Sequence, residues 1–128
     1  MEQIALLITS FLFGGMLLFA VGFGPIVLKN LEGNVARVFI RNTFPHFYIF
    51  VLVISFLAAV TVFAFVPFAS MALLAIFFST IPARQILMPA INAAADKGDR
   101  KKFKLLHALS VAITLAHIVI AGVVLCVL

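Results

Sequence analysis

The chain has 128 residues, 66% of them hydrophobic and 10% charged, with a net charge of +5. Soluble globular chains are about a quarter charged, so this composition excludes a water-soluble domain and makes lipid the solvent for most of the protein. Four crossings of about 20 residues each use most of the length and leave no room for a soluble catalytic domain, so no enzyme activity is expected.

The first predicted element is the 25-residue uncharged run from Ile4 to Leu28. It is long enough to cross a bilayer with tilt, and Gly14, Gly15, Gly22, Gly24 and Pro25 predict close neighbours and a kink. Met1-Glu2-Gln3 is acidic where a secretory signal is basic, so this run is expected to stay as a helix. Next come Val35, Val38 and Phe39 on one face with Arg37 and Arg41 on another, a pattern that predicts a short amphipathic helix at the membrane surface.

The uncharged run from Phe47 to Ala83 has 37 residues. As one helix it would span about 55 Å, well beyond a hydrocarbon core of about 30 Å, so it must fold back. Pro67 is the breaker near its middle, which places a second helix over about 46–66 and a third over about 68–91. Pro82 predicts a bend in the third. The fourth helix is expected over about 100–127, with Asp99 as its cap and its first turns at the headgroups. Asp96 is read as solvated, and Cys126, the single cysteine, as packing. The fold class is therefore an all-α integral membrane four-helix bundle in one domain.

All nine Lys and Arg residues fall in the first and third connections or beside them. The positive-inside rule puts both connections in the cytoplasm and both termini outside it, as in a bacterial inner-membrane protein. Orientation explains these charges without a nucleic-acid partner, which would need a basic face on a soluble surface.

Counting 1.5 Å per residue along antiparallel helices sorts the polar residues into two layers. Ser55, Ser79, Thr80 and His117 fall near the midplane. His46, Tyr48, Arg84, Gln85, Asn92 and His107 fall toward the cytoplasmic end. On the fourth helix His107, Ser110, Thr114 and His117 form a stripe that should face the bundle. His46, Tyr48, Arg84, Asn92, His107, Ser110 and His117 are the candidate ligand-binding residues. Each has a structural reading beside the functional one: Arg84 can snorkel to the interface, and His, Tyr and Ser can tie helices together. His46 and His107 are the pair that could ligate one haem b, although no cofactor is the primary expectation. No metal-spaced Cys/His cluster, nucleotide loop or nucleophile triad is present.

Three short motifs carry a resemblance: Phe44-Pro45-x-x-Tyr48, Pro89-x-Ile91-Asn92 and Phe103-x-x-x-His107-x-x-Ser110. In order and spacing the chain resembles the four-helix membrane family named for transmembrane protein 205, departing from it at Thr114, where the family pattern has Asn. The resemblance implies a four-helix membrane domain, a link to drug resistance in the eukaryotic member, and no established reaction.

The leading functional expectation is an accessory or structural subunit of a larger membrane complex, partnered by the bilayer and by other membrane proteins or further copies of itself. A binding or transport module for a small solute, using the polar layer, is the alternative, and a haem- or quinone-binding protein the third.

Overall fold

The computed structural model describes residues 1–128 and contains helices as its only regular elements. Four are long and apolar enough to cross a membrane: α1 (Glu2–Asn30), α2 (Gly33–Phe63), α3 (Pro67–Asp96) and α4 (Arg100–Val127). Successive helices pack side by side and α4 closes against α1, giving a ring in chain order around one core. The expected breaks at Pro67 and Asp99 are both present. Each helix is about 42–46 Å long at 1.5 Å per residue, so each must tilt or project beyond a core of about 30 Å.

Prolines set the irregularities of α1 and α3. Wide π turns occupy Leu18–Phe23 and Ala83–Leu87, and each ends two residues before a proline, Pro25 and Pro89 respectively. In both, the residue just ahead of the proline donates five residues back, Gly24 to the Phe19 carbonyl and Met88 to the Ala83 carbonyl. A proline has no N–H, and its ring crowds the carbonyl four residues earlier, so a wider turn placed before it relieves the crowding while keeping the chain helical.

Pro45 behaves differently from expectation. Residues 33–44 are the opening three turns of α2, continuous through Pro45, and not a separate short helix ahead of a helix starting near residue 46. A proline removes one N–H, while the helix on either side keeps all its other bonds, so a well-packed 31-residue helix can carry it. α2 also ends at Phe63, three residues short of the expected boundary, because Phe65 and Val66 both donate to the Val62 carbonyl and close the chain into a hairpin.

The third connection is built from two caps. Gly98 adopts φ +70°, the left-handed conformation that glycine takes without strain, while Asp99 donates to the Ala94 carbonyl at 3.0 Å and Gly98 to that of Ala95 at 3.2 Å. Asp99 then starts α4 by accepting from the Lys102 N–H at 3.2 Å, the capping role its position predicts.

Small residues from all four helices meet at one level of the core. At the end holding the α2–α3 hairpin, Ala5, Ala58, Ala59, Ala69, Ser70 and Ala121 are all buried, one or two from every helix. Ser70 donates to the Ala59 carbonyl across the hairpin at 2.7 Å. Toward the other end the α1–α2 contact is aromatic, with Phe19 stacked on Phe47 at 4.1 Å and edge-on to Phe44 at 5.3 Å. Between them Leu12, Met16, Val51, Leu73 and Ile76 fill the centre. Burial of apolar area drives no association between helices already in lipid, so close packing of this kind is what holds them together.

Candidate functional site

Two hydrogen bonds join uncharged side chains of different helices. Tyr48 on α2 and Ser110 on α4 are both buried, with their hydroxyls 3.2 Å apart. Ser79 on α3 and His117 on α4 meet at 2.7 Å between Oγ and Nε2. Ser79 also donates to the Ala75 carbonyl at 2.7 Å, and since a hydroxyl has one proton, the imidazole is then the donor to Ser79, from its Nε2–H tautomer. Ser55 and Thr80 are satisfied within their own helices by the Leu52 and Ile76 carbonyls. No buried side-chain nitrogen or oxygen lacks a partner. Polar groups of this kind are interhelical ties, each worth about 0.6 kcal/mol in a membrane bundle, with a ceiling of about 1.7 kcal/mol. A double-mutant cycle of Ser79→Ala and His117→Ala in mild detergent is therefore expected to show coupling in that range, and coupling indistinguishable from zero would remove the tie.

The stripe on α4 is only partly inward. Ser110 and His117 are buried, Thr114 is intermediate, and His107 is exposed. At 100° per residue Ser110 and His117 lie about 20° apart, whereas His107 stands about 60–80° away from them. His107 instead stacks on Phe103 of its own helix, ring centroids 5.7 Å apart and planes within 7°. His46 is exposed as well and bonds through Nδ1 to the Asn42 carbonyl one turn earlier at 3.0 Å. Each of the two histidines is thus engaged by its own helix, and no hydrogen bond or ring contact joins them.

Beyond the buried ties the layer continues outward. Arg84, half-buried, points Nε at the Pro45 carbonyl across a long 3.5 Å contact and donates from Nη1 to Gln85 Oε1 at 3.0 Å. Asn92 takes part through its backbone, its carbonyl accepting from Arg41 Nη2 at 3.2 Å. The same Arg41 nitrogen pairs with Asp96 Oδ1 at 2.8 Å, the single ion pair of the protein. Sequence reasoning separated these two residues, giving Arg41 to the surface and Asp96 to solvent. The signal that could have joined them was the run of helix-compatible residues ahead of Pro45, which carries α2 back past Arg41 to face the end of α3. No group of three or more His, Cys, Asp or Glu residues is arranged to hold a metal ion.

Two open grooves lie on the outside of the bundle. One, of about 630 Å³, is lined by Val35, Val38, Phe39 and polar neighbours on the opening turns of α2 alone. The other, of about 270 Å³, is lined by Leu52, Val53, Phe56, Leu57 and Phe77 on α2 and α3. Neither lies between α2, α3 and α4, where a solute held by the polar layer would sit.

Four apolar helices of spanning length, packed through small residues and sparse polar ties, define a small integral membrane protein. The chain belongs to the family described as Domain of unknown function (DUF4149), whose model matches residues 7–100. That match spans α1 to α3 and includes His46, Tyr48, Arg84 and Asn92, while His107, Ser110 and His117 follow it. No curated protein and no solved structure matches the chain.

Proposed function

We propose that the chain is a non-catalytic accessory or structural subunit of a larger membrane assembly. One observation carries this reading: every buried polar side-chain atom is already paired within the fold, so the interior holds no unspent hydrogen-bonding group for a solute or a reaction. The open grooves agree with it, since they face outward, where lipid or another protein reaches them. Purification of the native assembly in mild detergent, followed by size measurement and mass spectrometry of what remains bound, tests it. The expected result is a discrete complex with a defined protein partner or further copies of this chain. A lone monomer carrying a stoichiometric solute or chromophore would overturn it in favour of a binding, transport or haem protein.

The proposal includes an orientation, with both termini outside the cytoplasm of a bacterial inner membrane and the opening turns of α2, bearing Arg37 and Arg41, in the headgroup layer. A reporter active only in the cytoplasm, fused after Leu128, is then expected to be silent, and full activity there would reverse the orientation. The narrower kinship to the transmembrane protein 205 family rests on the order and spacing of the three motifs, two of which meet in the fold where Tyr48 bonds Ser110.

A further inference from the structure

Arg84 is a cation without an anion. Its contacts are the Pro45 carbonyl and the Gln85 amide, and the protein's one ion pair is spent on Arg41 and Asp96. A guanidinium carries five N–H donors, and with Nε and Nη1 of Arg84 engaged, its Nη2 has no partner in the protein. Its planar fork suits phosphate oxygens.

The seam on which it lies also holds a groove of matching character. Leu52, Val53, Phe56, Leu57 and Phe77 line it, all apolar, with the Phe56 and Phe77 rings 5.4 Å apart bridging α2 and α3. Phe77 and Arg84 are seven residues apart, two turns along one face of α3. Pro45, whose carbonyl meets Arg84, stands in the same relation to Leu52 on α2. The groove therefore runs along the seam away from the guanidinium, its near wall about 10 Å from Arg84 at 1.5 Å per residue. A charged end above an open apolar groove is the outline of a lipid.

We propose that the α2–α3 seam is a binding site for one phospholipid of net negative headgroup, its phosphate on the Arg84 guanidinium and an acyl chain in the Leu52–Phe77 groove. The site goes beyond the accessory-subunit reading and is independent of it, because lipid reaches this face whether or not another face is covered by protein.

The chain contains no tryptophan, so a single Phe56→Trp substitution places a lone fluorescent reporter in the groove. The full chain carrying it is reconstituted in vesicles of phosphatidylglycerol and phosphatidylcholine, with bromines on the acyl chains of one lipid at a time. Brominated phosphatidylglycerol is expected to compete for the groove roughly fivefold better than brominated phosphatidylcholine, the preference that one basic residue near the surface confers. Arg84→Gln brings the ratio close to one, and a Val119→Trp reporter on the exposed face of α4 shows little preference in the parent. Raising the salt also shrinks the preference in the parent chain, a measurement that needs no folded Arg84 variant. A ratio near one in the parent, a ratio unchanged by Arg84→Gln or by salt, or a reporter that neither lipid quenches because protein covers the groove would each overturn the site.

Discussion

Leu73→Ala is expected to lower the stability of the bundle by about 1–3 kcal/mol, measured as the shift in an unfolding curve of the protein in mixed detergent. Leu73 is fully buried and belongs to the hydrophobic cluster that all four helices share. In a soluble protein the same change costs about 2–5 kcal/mol, part from lost transfer out of water and part from the cavity left behind. A helix released from this bundle stays in lipid, so the transfer part largely disappears and the cavity part remains. Met71→Ala, two residues earlier and exposed, leaves nothing unfilled and is expected to change little. Equal losses at the two positions would mean that the interior of the ring is not packed as described.

The complementary experiment adds volume. Ala121 is fully buried where α4 passes the hairpin end, and Ala121→Leu is expected to cost about 1–3 kcal/mol by forcing the helices apart. Ala116→Leu on the exposed side of the same helix is the control, since leucine there meets only lipid. Hydrophobicity rises equally in both variants, so a difference between them isolates steric fit. A stable Ala121→Leu variant would show that α4 is held loosely at this end.

The architecture was legible because lipid imposes it: uncharged runs too long for one crossing must turn back, and Pro67 and Asp99 mark where. Pro25 and Pro82 announced irregular helix, though not the wide turns; Pro89 was read as lying near the end of the third helix, which instead takes it up after a wide turn and runs on to Asp96. Pro45 misled, because a proline reads as a boundary in sequence, while in a packed helix of this length it is one missing bond among many. Burial of Ser110 and His117 followed from the face they share on α4, whereas for Tyr48 depth alone was legible. The failure at His107 was one of angle: a stripe spanning about 80° is wider than the buried arc near the end of a helix, where neighbours thin out. The Arg41–Asp96 pair was missed for the same reason as the start of α2: with the helix begun near residue 46, Arg41 was left on the surface and not carried past the end of α3, 55 residues away in sequence.

Side chains no larger than serine come from all four helices to one level near the hairpin: Ala5, Ala58, Ala59, Ala69, Ser70 and Ala121. An added methylene there has to be accommodated by moving a helix, because an interior packed at native density has no spare volume. That level of the protein is thus constrained by volume more than by chemistry, and a designed change in it is tolerated according to the size it adds.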